Sequence, residues 1–136
     1  MPIKYRVIQR GQPGVAGGGV KKFYATPITE GESSIEDLTT DIERMSTISG
    51  ADIRGVLYAL VDVITQRLSD GRIVRLDALG SMQVSMSSEG FETEEEVNGA
   101  AIRSTRVLFR PGPKLKNMLR TLSFKKVATT PTETPA

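Results

Sequence analysis

The chain has no cysteine, no histidine and no tryptophan among its 136 residues. Without cysteine there is neither a disulfide framework nor a thiolate metal site. Without histidine the usual general base and the commonest metal ligand are missing. A hydrolase or metalloenzyme would have only carboxylates to work with, and nothing in the sequence supports an enzyme, a cofactor or a small-molecule substrate. No apolar run approaches the roughly 18 residues that span a bilayer. The start, Met1-Pro2-Ile3-Lys4-Tyr5-Arg6, lacks the apolar core of a secretory leader. These absences lead us to expect a soluble cytoplasmic protein, one domain of ordinary size with appendages.

What is present is charge, unevenly spread. The net charge of +2 hides a segregation: residues 1–28 hold five basic residues and no acids, residues 29–102 five basic and fifteen acidic, and residues 103–126 eight basic and no acids. The last group comprises Arg103, Arg106, Arg110, Lys114, Lys116, Arg120, Lys125 and Lys126. Most charge runs are simply solvated faces. A run with no interspersed acid points instead to a polyanionic partner.

Periodicity places this run in a fold. Ile3, Tyr5 and Val7 alternate with Lys4 and Arg6 as a short strand, and Val20 to Pro27 reads as a second strand that pairs with it. The glycine-rich connection, residues 11–19, lacks the Lys-Ser/Thr ending and following helix of a phosphate loop. Ser33-Ser34 with Glu36-Asp37 starts a helix whose apolar stripe is Ile35, Leu38, Ile42 and Met45. Ser49 starts a second helix carrying Ile53, Val56, Leu57, Leu60, Val61, Ile64 and Leu68, widened by Ala59 and Val63. So broad a face implies burial on two sides, within a larger core or across a subunit interface. Asp70-Gly71 ends that helix. Strands follow at Arg72 to Leu76, Ser81 to Ser87 and Arg103 to Arg110, then a short helix from Lys114 to Leu122 with Leu115, Met118, Leu119 and Leu122 inward. Ser123 to Val127 is a candidate last strand, and the Thr- and Pro-rich tail a disordered one.

Two blocks in this order resemble the HU and integration-host-factor DNA-bending proteins. Gly71-Arg72-Ile73-Val74-Arg75-Leu76-Asp77-Ala78-Leu79-Gly80-Ser81-Met82 is similar to the family's strand–turn–strand. Phe109-Arg110-Pro111-Gly112-Pro113-Lys114-Leu115-Lys116 is similar to its Phe-Lys-Pro-Gly-Lys-x-Leu-Lys block. The similarity covers about residues 34–122. It implies an α+β, HU-like fold: two N-terminal helices, a three-stranded antiparallel sheet with an arm, a short C-terminal helix and an added N-terminal strand pair, in an intertwined homodimer. The expected organisation is an N-terminal strand extension over 1–28, an HU-like domain over 29–127 and a tail over 128–136.

The resemblance also implies a function: a bacterial, nucleoid-associated protein that binds duplex DNA without sequence specificity, mainly through phosphate contacts by Arg103, Arg106, Arg110, Lys114, Lys116 and Arg120. Arg110 and Lys116 match basic positions of the family block, whereas Pro113 replaces a family lysine. Ala78-Leu79 stands where the family turn has Gly-Phe. The family arm is basic and proline-tipped, and its proline wedges between base pairs. Here Ser88 to Gly99 carries Glu89, Glu92, Glu94, Glu95 and Glu96, with no basic residue and no proline. Phe91 is the one apolar wedge candidate, and packing beneath the loop is its blander role. Cation chelation by the glutamates finds no calcium-loop spacing. The alternative is an HU-fold protein-interaction or assembly module with little DNA affinity.

Overall fold

Two serines set where the long helices begin. In the computed structural model, which describes residues 2–127, Ser34 caps α1 (Ile35–Met45) and Ser49 caps α2 (Gly50–Ser69). The Ser34 hydroxyl accepts from the Asp37 backbone N–H at 3.3 Å, and the Asp37 carboxylate accepts from the Ser34 backbone N–H at 2.9 Å. Two N–H groups that the first helical turn leaves without partners are thereby satisfied reciprocally. Those bonds, the backbone one foremost, hold the Asp37 carboxyl below its ordinary value. At α2 the Ser49 hydroxyl accepts from the Asp52 N–H at 3.3 Å. The expected tail, residues 128–136, lies outside the described residues.

The chain forms two compact units, Ser33–Leu119 and a second made of Met1–Glu32 with the segment from Arg120 onward. In the first, α1 and α2 pack together, with Thr39 and Ile53 buried between polar clamps such as Arg54 Nε to Glu36 Oε1 at 2.9 Å. Thr39 occupies a core position that the apolar stripe had assigned to its neighbours: Leu38 and Met45 are exposed. Its hydroxyl donates to the Ile35 carbonyl at 2.7 Å, so burial leaves no polar group unpaired. On α2, Ile53, Leu57, Ile64 and Leu68 form the inward line. Val56 at 65%, Val61 at 55% and Val63 at 54% remain exposed on the two sides of that line. Among the described residues, only Ile53 and Ala101 are fully buried apolar side chains, so one copy of the chain leaves most of the wide face uncovered.

The sheet of this unit has the order β3-β4-β5, with β3 at Val74–Arg75, β4 at Gly80–Ser88 and β5 at Ile102–Pro111. β3 is shorter than the alternation in 72–76 implied. β4 and β5 pair antiparallel from Gly80↔Pro111 outward, with a register shift at Ser87/Ser88. The connection between them, residues 89–101, contains two single 3-10 turns at Glu94–Glu96 and Gly99–Ala101. α3 (Pro113–Arg120) follows and ends two residues before the expected Leu122. Leu115 is half-buried, whereas Met118 and Leu119 are exposed, contrary to their expected inward placement.

The base of the hairpin is locked by backbone. The Gly112 N–H donates to the Leu79 carbonyl at 2.9 Å and the Lys114 N–H to the Ala78 carbonyl at 3.2 Å. The β3–β4 turn thus satisfies donors at the start of α3. A Cβ at Gly112 would lie 2.6 Å from the carbonyl oxygens of both Asp77 and Ala78, and one at Gly80, where φ is 147°, would meet the Arg110 carbonyl and the Phe109 ring. Only glycine lets these two loops approach.

The second unit corrects the sequence reading. The expected strand pair is a three-stranded sheet of order β2-β1-β6, with β1 at Ile3–Arg10, β2 at Lys22–Pro27 and β6 at Phe124–Lys126. β1 and β2 pair antiparallel as expected, across a loop with a 3-10 turn at Ala16–Gly18. β6 pairs parallel with β1, Ile3↔Phe124 to Tyr5↔Lys126. The physical reason is edge satisfaction: β1 has a free ladder edge, and β6 supplies its hydrogen-bonding partner.

Gly112→Ala should lower stability by about 2 kcal/mol or more, read as a fall in Tm; an unchanged Tm would show that the two loops can separate. Asp37 supplies a pH-dependent component. A carboxyl held below its unfolded pKa stabilises fully above that unfolded value and loses its contribution as pH falls through the folded one. The stability gap between the wild type and Asp37→Asn should therefore narrow as pH is lowered through the carboxylate range. Denaturant midpoints measured along that range check this, and a constant gap would count against it.

Candidate nucleic-acid interface

Strand register decides which basic residues share a surface. In an antiparallel pair, residues directly opposite lie on the same face, and successive residues alternate. The pairings Arg75↔Ser81, Ser81↔Arg110, Gln83↔Leu108, Ser85↔Arg106 and Ser87↔Ser104 put all nine of these side chains on one face of the β3-β4-β5 sheet. The other face carries Val74, Met82, Val84, Met86, Val107 and Phe109. One face is therefore apolar, and the other is arginine, serine and glutamine with a single leucine and no acid.

That polar face has a regular layout. Arg110 and Arg75 flank Ser81 from the two sides, roughly 10 Å apart at two interstrand spacings. Arg106 follows roughly 13 Å along β5 at four strand rises, opposite Ser85. A short hydroxyl beside each long guanidinium leaves the surface low between cations, so a backbone of linked anions can come close and accept from both kinds of donor. Ser87 and Ser104 hydroxyls are already bonded to each other at 2.7 Å, which marks the outer end of this strip.

At the base of the hairpin the strip opens into a cleft of about 420 Å³, lined by Arg75, Ser81, Arg110 and Lys116, with Asp77 its one carboxylate. Three elements deliver its cations: β3 brings Arg75, β5 brings Arg110, and the first turn and a half of α3 brings Lys116. The turn that closes on Gly112 holds them together. Asp77 itself has φ 46°, in the left-handed region that turn residues of its type tolerate.

The six expected contact residues fall into different situations. Arg106, Arg110 and Lys116 belong to the strip or its cleft. Arg103 sits at the outer end of β5 and its Nη2 is paired with Glu89 Oε1. Lys114 is exposed on α3 but does not line the cleft. Arg120 ends α3 and is counted with the other unit. Arg75 was missed by sequence reasoning, because it lies outside the acid-free run and in a stretch of mixed charge. The alternation of Val74, Arg75 and Leu76 was the available signal, but only the register with Ser81 links it to Arg110.

The hairpin connection is distinct in chemistry. Its five glutamates lie within residues 89–96, where Thr93 Oγ1 donates to Glu96 Oε1 at 2.9 Å and the Glu89 N–H donates to the Ala101 carbonyl at 2.9 Å. Phe91, 41% exposed, borders a shallow polar cleft with Ser87, Ser88, Glu89 and Arg103. Among the described residues no three acidic side chains are gathered so as to hold a metal ion, and no helix is long and apolar enough to cross a membrane.

Comparison with known proteins bears on this geometry. The family model described as "HU domain fused to wHTH, Ig, or Glycine-rich motif" matches residues 1–126. No curated protein matches the chain. A solved structure from Bacteroides vulgatus ATCC 8482, provisionally described as a bacterial DNA-binding protein, is similar with a TM-score of 0.65 and 14% identity over 96% of this chain and 50% of that one. At that identity the likeness speaks for the fold alone, and this chain spans half the length of its neighbour.

Proposed function

The chain belongs to the family of HU domains fused to a wHTH, Ig or glycine-rich motif, and on that premise we propose that it binds duplex DNA through phosphate contacts, without sequence specificity, as a homodimer. The observation that carries the reading is the acid-free polar face on which Arg75, Arg106 and Arg110 alternate with serines and which ends in the Lys116 cleft. Guanidinium groups beside hydroxyls suit phosphate oxygens, the contact that holds a duplex whatever its sequence. Affinity built this way comes largely from counterion release and falls steeply with salt. Lys114 joins the proposed contact set as a flanking cation, while Arg103, paired with Glu89, and Arg120, which belongs to the other unit, are proposed as separate phosphate contacts and not as parts of this face. Such a chain acts as an architectural protein on a bacterial chromosome, not as an enzyme.

The dimer follows from α2. Covering Val56, Val61 and Val63 would contribute roughly 1.5 kcal/mol or more for each side chain fully buried, and a second copy offers the same self-complementary face. In this reading the dimer body is the unit Ser33–Leu119, which carries α2.

The acidic connection favours one further possibility, that the hairpin tip serves protein contacts. Five glutamates oppose entry into a groove, so the tip is free for another partner.

Titration of a labelled duplex against salt tests the main reading. The wild type should bind at micromolar dimer in low salt, and Arg75→Glu with Arg110→Glu should weaken binding at least tenfold and reduce the salt slope by about two. No wild-type binding in low salt overturns the proposal, and unchanged variant affinity removes the face from it. Light scattering should give a dimer, and Val61→Glu should shift it to monomer or unfold it; a wild-type monomer at moderate concentration would overturn the intertwined arrangement.

A further inference from the structure

The β2-β1-β6 sheet has a second cationic face, apart from the polar face of the β3-β4-β5 sheet. The register places Lys4, Arg6, Ile8 and Arg10 of β1 on one face with Lys22, Tyr24 and Thr26 of β2 and Lys125 of β6. The opposite face is mainly apolar, with Ile3, Tyr5, Ala25, Pro27 and Phe124 around one cleft, and carries Lys126 and Gln9. No acidic residue occurs in any of the three strands. Glu30, beyond the end of β2, reaches Lys4 at 2.5 Å and offsets that one charge.

The pairings on the cationic face run against what stability alone selects. Arg10 stands directly opposite Lys22 in the antiparallel β1–β2 pair, and Lys125 lies beside Lys4, which Glu30 offsets, in the parallel β1–β6 pair. Like charges at directly opposed antiparallel positions destabilise a sheet, whereas opposite charges there would stabilise it. The sequence accepts this for Arg10 and Lys22 at one end of a short sheet. The unfavourable field is relieved when an external anion is bound.

The layout also indicates which anion. From Lys4 to Arg10 is six strand rises, roughly 20 Å, a length that covers about six base-pair steps of duplex at 3.4 Å per step. Single-stranded binding needs open aromatic faces on which bases stack. Tyr24, the one aromatic residue on this face, already has the Arg10 guanidinium over its ring at 4.7 Å. A linear track of cations with its aromatic ring covered fits a phosphate backbone better than exposed bases.

We propose that this face of the N-terminal sheet is a second duplex-DNA phosphate contact, in addition to the β3-β4-β5 face and resting on the reading that the chain binds DNA. Full-length Lys22→Glu, Lys125→Glu double variant should bind a duplex about tenfold more weakly than wild type at low salt, with a salt slope smaller by about two. Lys22→Glu converts the opposed Arg10–Lys22 pair into an opposite-charge pair and Lys125 is exposed, so the Tm should hold, and weakened binding is then not a folding defect. If the Arg75, Arg110 double variant weakens binding while the Lys22, Lys125 variant titrates like wild type, the second contact is overturned and the β3-β4-β5 face stands. If wild type binds no duplex, both fail. If the double variant loses binding to anionic phospholipid vesicles but keeps its duplex titration, the face serves a membrane surface and the proposal is overturned.

Discussion

The structure of the first unit depends on one close approach, that of the β3–β4 turn to the Pro111-Gly112-Pro113 corner. Two backbone hydrogen bonds cross it, from Gly112 to Leu79 and from Lys114 to Ala78. They are possible because neither Gly80 nor Gly112 carries a side chain where the backbones meet. The corner ends β5, and Pro113 opens α3, a position where a missing N–H costs nothing. From it follow the register of β5 on β4, the start of α3 and the gathering of Arg75, Arg110 and Lys116 around one cleft. The family resemblance noted an aromatic missing from this turn at Ala78-Leu79. The turn works here through its carbonyls, and the ring that lies against Gly80 is Phe109, from the neighbouring strand.

Both sheets separate charge from apolar surface by strand parity. In each, one face collects most of the apolar side chains and the other most of the cations, with Lys126 an exception on the apolar side, so the segregation visible along the sequence becomes largely a segregation across a sheet. Parity also limits how many charges of a run can act together. Arg106 and Arg110 share a face because they are four apart. Arg103, three residues before Arg106, falls on the other parity, at the edge of the hairpin connection, and pairs with Glu89. The run of eight basic residues over 103–126 is therefore not one site; it is divided by parity and by the boundary between the two units.

Local features were legible in the sequence and non-local ones were not. Helix starts at Ser34 and Ser49, the end of α2 at Asp70-Gly71, and the alternation of Ser81 to Ser87 against Met82, Val84 and Met86 each rest on interactions within a few residues. The wide face of α2 was readable as well, since its residues repeat at the helical period. The parallel docking of β6 beside β1 joins segments about 120 residues apart, and no local pattern encodes that pairing. Arg75 needed register to connect it with Arg110. The burial of Thr39 ahead of Leu38 needed the geometry of α1 against α2, where a small side chain that bonds its own helix fits.

The hairpin carries a gradient of charge from base to tip, and this gradient constrains the proposed contact more than the cations alone do. At the base lie Arg75, Arg110 and Lys116. Midway Arg106 stands opposite a serine. At the outer end Arg103 is neutralised by Glu89, and beyond it come Glu92, Glu94, Glu95 and Glu96. A duplex lying on the polar face is attracted at the base and repelled toward the tip, each close exposed like-charge pair costing on the order of 1 kcal/mol. Minor-groove insertion by the tip would bring three consecutive glutamates between two phosphate backbones, with no proline to wedge a base step. The cost grows with depth of insertion, while the attraction at the base is satisfied without it. A contact that seats the duplex at the base and turns the tip away gains the favourable half of this field and avoids the other, so a hairpin that held a phosphate backbone in the proposed way would be unsuited to kinking it.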